Sequence, residues 1–325
     1  MAVTMRDIAK EANVALSTVS YVLSGNGLHK VGEETCKRIL DTASRMHYRP
    51  NLKARSLSKG RTYIVGALFR HLTVSFVPEI IAGLEQVLED NGYCLILATY
   101  DSPKQFTEKC NYLYQHGVEG AVIIPIFNGV KFPDIGELAQ DNIPIVTIGN
   151  ELGSFPKVLV EPQAVGKYAF DYLAGLGHRR IAYAGCYAPR VEGMLAAQKH
   201  HPGVVLNWKE TPLQGKDAGE EILKYIKSLP ELPSAVVTDS DIEAISFMHW
   251  AFRAGIRVPE DISVVGIDGM EIGAYANPPL TAVAQPMTEQ GRQGGELLLE
   301  AINGGKVADR ILQPFILERE SCRKI

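Results

Sequence analysis

The sequence has little that would commit it to secretion, to a membrane or to catalysis. Its five cysteines, Cys36, Cys94, Cys110, Cys186 and Cys322, are an odd, scattered set without a CxxC pair. A disulfide framework or a thiolate zinc site is not expected from such spacing, and reduced thiols in a cytoplasm are. No apolar run approaches the ~18 residues that a membrane helix needs. The first residues lack a basic stretch followed by an apolar core and a small-residue cleavage site, so neither export nor a membrane partner is expected. Enzyme signatures are missing too: there is no GxxxxGK[ST], no GxGxxG after a strand, no GxSxG and no HExxH. Asp239 with Asp241, or His200 with His201, come nearest to a metal set. Two carboxylates at a strand end serve more often as helix caps or ligand groups, and adjacent histidines at a helix end are usually solvated. No metal, no cofactor and no enzymatic activity are expected.

What is present is an ordinary globular composition with an uneven charge. The chain has 325 residues, 46% hydrophobic and 22% charged, which suits about two domains. The net charge of −4 hides a division. Residues 1–61 carry a balance of +6 and the remainder a balance of −10. A basic head on an acidic body implies a polyanionic partner for the head alone, although a solvated basic helix would give the same count.

The head reads as three short helices. Met5–Ala12 places apolar residues at helical spacing, Asn13 and Val14 break the pattern, and Leu16–Leu23 resumes it. The run SGNG, 24–27, stops the second helix. A third spans about Glu33–Met46, with Cys36, Ile39, Leu40 and Ala43 expected to face inward. Two helices joined by a tight turn and braced by a third describe a helix-turn-helix unit, whose second helix enters the major groove. Val14, Val19, Val22 and Leu23 make an apolar stripe at helical spacing along 12–27. Leu16, Ser17, Ser20 and Tyr21, short or flat and uncharged, lie on the opposite face. Such groups suit base edges, whereas Arg6, Lys10, Lys30, Lys37, Arg38, Arg45 and Arg49 around them suit phosphates.

The blocks VTMRDIA (3–9), TVS (18–20), EET (33–35) and YRPNxxARxL (48–57) resemble, in residues and in spacing, the bacterial LacI/GalR family of regulators. The resemblance implies that Leu16, Ser17 and Tyr21 read bases, with Thr18 and Ser20 against the backbone and Thr4 also at the DNA. It implies that the linker forms a hinge helix on operator DNA. There Leu57 wedges into the central base step, and Asn51, Ala54 and Arg55 match the same motif. Two residues depart from the family pattern: Ala15 stands at a position usually held by a Ser or Thr helix cap, and Tyr21 replaces a common Arg.

Beyond Tyr63, apolar runs alternate with amphipathic helices about every 25 residues. Strands are expected at 64–69, 93–98, 121–125, 143–148, 180–184, 204–206, 235–238, 263–267 and 316–318. Helices are expected near 78–91, 106–116, 134–141, 163–176, 190–200, 215–228, 241–254 and 288–303. Two βαβ series imply two doubly wound parallel α/β lobes, similar to periplasmic sugar-binding proteins, behind a small all-α head. The expected domains are 1–49 for the head, 50–61 for the linker and 62–325 for effector binding and dimerisation. The body divides into about 62–158 plus 286–313, and about 159–285 plus 314–325. Ligands in such folds sit beyond the carboxyl ends of strands, hence in the cleft between lobes.

GHRRIA (177–182), RxxG (190–193), DSDxxA (239–244), VPEDISVVGID (258–268) and PLTAV (279–283) resemble family blocks. The resemblance places Arg190, Asp268, Phe76 and Ser240 in the effector site. Gly149–Asn150, Glu161–Pro162 and Gly269 depart from it, and the loop from Gly185 to Arg190 is short. These departures point to an effector unlike the best-known sugars, or to a weakened pocket. The function implied is a cytoplasmic, homodimeric repressor. It would bind double-stranded, pseudo-palindromic operator DNA under the control of a small, sugar-like molecule. The alternative is a small-molecule binding protein with a non-functional head.

Overall fold

A computed structural model describes residues 3–24, 31–48, 60–71, 76–125, 135–139, 141–210 and 215–325. The chain forms two compact units, Met1–Thr62 and Tyr63–Ile325.

In the first unit, α1 (Met5–Glu11), α2 (Leu16–Ser24) and α3 (Glu33–Arg45) enclose Ile8, Ala9, Ala12, Val19, Val22, Ile39 and Ala43. Helix α1 starts in a capping box, in which the Asp7 carboxylate accepts from the Thr4 main-chain N–H at 2.8 Å while Asp7 N–H donates to the Thr4 hydroxyl. The Thr4 hydroxyl and main-chain donors hold the Asp7 carboxyl below its ordinary pKa. Leu40, expected to face inward, is instead 49% exposed, and Thr42 is buried. The buried stripe of Ile39, Thr42 and Ala43 leaves position 40 roughly a quarter turn away. Arg45 is paired with Glu11 at 2.9 Å, tying α3 to α1 rather than standing free for phosphate. Lys30 and Arg49 lie outside the described residues, as do Asn51, Ala54, Arg55 and Leu57 of the linker.

The second unit contains two six-stranded sheets. Strands β1 (Ile64–Phe69), β2 (Cys94–Thr99), β3 (Gly120–Ile124), β4 (Ile145–Ile148), β5 (Lys157–Val160) and β11 (Arg310–Leu312) form the first, in the order β11-β5-β4-β3-β1-β2 and all parallel. The second, β12-β10-β9-β8-β6-β7, comprises β6 (Arg180–Gly185), β7 (Val205–Glu210), β8 (Ala235–Thr238), β9 (Ser263–Asp268), β10 (Thr281–Ala284) and β12 (Phe315–Leu317). Only β12 runs antiparallel to its neighbour. The inner strands read as continuous apolar runs because helices cover both faces of each sheet. Strands β3 and β4, for example, are buried at every residue.

In lobe 1, α4 (Val77–Asp90) and α10 (Met287–Ile302) cover one face and α5 (Pro103–Gln115) the other. In lobe 2, α6 (Pro162–Gly175) and α7 (Ala188–Gln198) cover one face, with α8 (Ala218–Ser228) and α9 (Asp241–Arg253) on the other. The chain therefore passes between lobes at 160–162, 284–287 and 312–315. Because β5 joins the first sheet, lobe 1 extends to Val160, slightly past the expected division. The helix expected at 134–141 is a single 3-10 turn, Gly136–Ala139, among the described residues. Strand β7 runs to Glu210 rather than ending at 206.

The helix pairs α4/α10 and α6/α7 cross at close quarters. A Cβ on Gly83 would lie 2.0 Å from Thr288 O, and one on Gly291 1.9 Å from Ile80 O. In lobe 2, a Cβ on Gly166 would lie 2.0 Å from Arg190 O, and one on Gly193 2.0 Å from Gln163 O. Each crossing thus requires two facing glycines.

Candidate functional site

In the head, the exposed face of α2 carries Leu16 at 42% and Tyr21 at 46% exposure, with Ser17 and Ser20 exposed beside them and Thr18 half-buried. Val19 and Val22, on the other side, hold the helix to the core. The Ala15 carbonyl accepts from Thr18 N–H at 3.0 Å, so Ala15 opens the helix without a side-chain oxygen to cap it. Arg6, Lys10, Lys37 and Arg38 are exposed on α1 and α3. Thr4 is exposed, but its hydroxyl also donates to Asp7 at 2.7 Å. The result is an uncharged exposed face among cations, an arrangement chemically suited to base contacts flanked by phosphate contacts.

In the body, the carboxyl ends of the lobe 2 strands gather a set of buried polar groups. The two-residue connection after β6 puts Tyr187 at the N-cap of α7 and Pro189 within its first turn, so Arg190 follows at once. This short loop turns the Arg190 guanidinium onto Asp239, beyond the end of the neighbouring β8. Arg190 Nη1 donates to the Asp239 carboxylate at 3.0 Å and to its main-chain oxygen at 2.6 Å. Asp239 also accepts from Cys186 N–H at 2.6 Å and from the Tyr183 hydroxyl. Both partners of the pair are largely buried, with side-chain exposures of 13% and 9%. Gly185 makes the room, since a Cβ there would lie 2.5 Å from Asp239 Cγ. Burial opposes the Arg190 charge, yet Asp239, then Tyr183 and Asp268, more than restore it and raise its pKa. Burial and the Asp239 charge push Tyr183 up, which keeps its hydroxyl a donor.

Asp268 closes β9 with φ at +114°, a strained conformation for a residue with a Cβ. Gln285 braces it twice, donating from Nε2 to Oδ1 and from its main-chain N–H to the Asp268 carbonyl, both at 3.0 Å. Burial pushes the Asp268 carboxyl up to about 7, opposed by Arg190 and Gln285 and helped by Asp239 and Glu79. Asp241, at the start of α9, accepts from Met270 N–H at 2.6 Å. Burial first, and Asp268 second, push its carboxyl up to about 8. Gly269 lies between these groups with φ at +81°, and a Cβ there would lie 2.4 Å from Ala284 Cβ. The departure at 269 is therefore a packing requirement of this chain.

Lobe 1 faces these groups with fewer partners. Asn150, beyond β4, donates to Pro125 O at 2.9 Å and accepts from the Tyr187 hydroxyl at 3.0 Å, bridging the lobes. Glu79, in the first turn of α4, has its carboxyl raised by burial and by Glu271 of lobe 2.

The structure thus brings Arg190 and Asp268 together and sets Glu79 within electrostatic reach of Asp268. Phe76 caps α4 one turn before Glu79, with its ring half-buried against the lobe 1 core. Ser240 is the N-cap of α9, its hydroxyl accepting from Glu243 N–H at 3.2 Å, so this oxygen is committed to the helix. Asp239, Tyr183, Tyr187, Asn150 and Gln285 belong to the same set and were not singled out as binding residues by the sequence. Asp239 and Asp241 do not form a metal pair: one serves Arg190 and the other the Met270 loop. Among the described residues no group of three or more His, Cys, Asp or Glu could hold a metal ion, and no helix is long and apolar enough to cross a membrane.

Comparison with known proteins gives two domain matches. Residues 4–51 match the lacI family of bacterial regulatory proteins, and residues 170–322 match a periplasmic binding protein-like domain. The HTH-type transcriptional repressor PurR of Vibrio cholerae is 29% identical, over 99% of this chain and 98% of its own. The lac repressor dimer bound to operator and the anti-inducer ONPF shares the fold, with a TM-score of 0.82 at 20% identity over 99% of this chain and 100% of that one. The cellobiose complex of the transcriptional regulator CelR is 26% identical, with a TM-score of 0.70 over 98% and 99% of the two chains.

Proposed function

Because this chain belongs to the LacI family of bacterial regulatory proteins, we propose that it is a transcriptional repressor acting as a homodimer on a pseudo-palindromic operator. Two-fold symmetry in the protein would be mirrored in the DNA. The observation that carries this reading is the exposed, uncharged face of α2, with Leu16, Ser17, Ser20 and Tyr21, in a head matching that family. Thr18 and Thr4 then meet the backbone, and the linker residues Asn51, Ala54, Arg55 and Leu57 meet the minor groove. A small, sugar-like effector binds between the lobes against Arg190 and Asp268, with Phe76 and Ser240 at the margin. The relatives whose names describe repressors, and the neighbour holding cellobiose, support both halves of the proposal. A coupling of ~1–3 kcal/mol between effector and operator would change DNA affinity about 5- to 150-fold. The protein works in the cytoplasm and has no enzymatic step.

Selection from randomised duplexes with the full chain tests this. A recovered two-fold symmetric site is the expected outcome, and binding without preference over competitor DNA at moderate salt would remove the proposal. Tyr21→Arg should shift the recovered half-site toward guanine, because an arginine fork can bond one guanine twice. An unchanged profile would take Tyr21 out of base reading.

A further inference from the structure

An arginine at the edge of a ligand cleft would ordinarily be the natural partner of a carboxylate or phosphate, because its planar fork matches either. Here one nitrogen of that fork, Nη1, already holds a carboxylate from the same chain, and Nε is buried without a hydrogen-bond partner. Arg190 Nη1 bonds both the side chain and the main chain of Asp239. Asp239 is itself pinned by Cys186 N–H and the Tyr183 hydroxyl, over the space that Gly185 leaves open. Among the described residues, the side chains that act on Asp268 and Glu79 include the acidic Asp239, Glu79 from α4 and Glu271 beyond β9. An anionic ligand taking Arg190 Nη1 would have to displace a carboxylate already held by three donors, Tyr183, Cys186 N–H and Arg190 itself.

We infer that Asp239 is a built-in counter-ion for Arg190, so that the cleft takes uncharged, hydroxyl-bearing ligands and refuses carboxylated or phosphorylated ones. This rests on the reading of the cleft as the effector site, and it names the charge of the effector that the cleft can accept. The Arg190–Asp239 pair then fixes the floor of the site. Asp268, braced by Gln285, is the group left to meet a hydroxyl.

The test restores the missing carboxylate from solution. Full-length Asp239→Ala is titrated with acetate, and with chloride at matched ionic strength, while thermal unfolding of the body is followed. The variant should be stabilised by acetate saturably, with a midpoint about tenfold or more below any effect on the unaltered chain, as expected for a carboxylate on a guanidinium. Asp239→Ala/Arg190→Gln should lose that response. If Asp239→Ala does not fold in chloride, refolding in acetate becomes the readout, and recovery there alone supports the proposal. An acetate response no stronger than chloride overturns it, as does one that persists in the double variant or no recovery in acetate. Saturable binding of inorganic phosphate to the unaltered chain that Arg190→Gln removes overturns it too, as does operator release by a sugar acid or sugar phosphate. Failure to select an operator would sink the repressor reading and leave the acetate result standing, so the two can fail separately.

Discussion

Lobe 2 presents the cleft with charges buried and bonded to one another, whereas lobe 1 presents a half-buried ring, a carboxylate and one bridging amide among its described residues. Arg190, Asp239, Tyr183, Asp268, Gln285 and Asp241 are held by several hydrogen bonds each or by deep burial. Asn150 meets lobe 2 across the cleft by accepting from the Tyr187 hydroxyl. The difference assigns the lobes unlike duties. On the proposed reading of the cleft, the prearranged polar surface of lobe 2 would set which ligand fits, and lobe 1, with fewer bonds among its described residues, would be the side that moves.

The sharpest way to break this contrast is to cut the buried pair. Arg190→Ala leaves Asp239 charged and unpaired in a largely buried place, and should destabilise the body by about 3–5 kcal/mol. Calorimetric unfolding of the full chain reads this, and a change below about 1 kcal/mol would show that lobe 2 is not prearranged by its charges.

The matched glycine crossings give a second, internally controlled comparison. Gly166→Ala and Gly83→Ala both force a methyl to within about 2.0 Å of a backbone oxygen, and each should lower stability by about 1–3 kcal/mol. Only the first oxygen belongs to Arg190, so only Gly166→Ala should also weaken the effector-dependent change in operator affinity. Equal losses of response from both variants would erase the distinction between the lobes.

Acidity separates the lobes as well. Asp268 and Asp241, pushed up to about 7 and about 8, hold protons in the folded body that the unfolded chain releases near pH 4. Their contribution to stability is therefore fully present below the unfolded carboxylate range and declines as pH rises through about 7 to 8. The melting temperature should fall from about pH 6 to about pH 8.5, and Asp241→Asn should flatten that slope. A slope unchanged in the variant would exclude Asp241 as its source. The smallest effect belongs to lobe 1: Asn150→Ala should cost about 0.5–1.5 kcal/mol, by removing one bond across the cleft and one to Pro125. A loss as large as that of Arg190→Ala would reverse the assignment of duties.

Much of the framework was legible in the residues. Strands β1 and β8 match their expected limits because each is an apolar run with clear breaks on both sides. Strands β5, β10 and β11 are not among the expected strands, although β8, as short as β5 and β10, is. Their places are fixed by pairing with β4, β9 and β5. The same limit applies at the site. Asp268 is placed by the resemblance of 258–268 to a family block, but the role of Asp239 depends on β8 lying beside β6, a register that no local pattern encodes. The signal that could have suggested it was a pair of facts: a glycine closing one strand, Gly185, and an acid just before the serine cap that follows another. Leu40 failed for a simpler reason, since an apolar residue at the border of a helical stripe can fall on either side of it.

The position of α10 along the chain has a consequence for biosynthesis. Lobe 1 opens the body, yet α10, which lies across α4 through Gly83 and Gly291, is translated only at residues 287–302, and its edge strand β11 later still. Lobe 2 has its four covering helices in hand by residue 253 and β10 by residue 284. A nascent chain thus emerges with Ile80 and Leu84 uncovered and must keep them from other chains until residues 287–302 have been made. The half that begins first thus waits for most of the other before its own helix layer is complete, and the two sheets then gain their edge strands, β11 and β12, almost together.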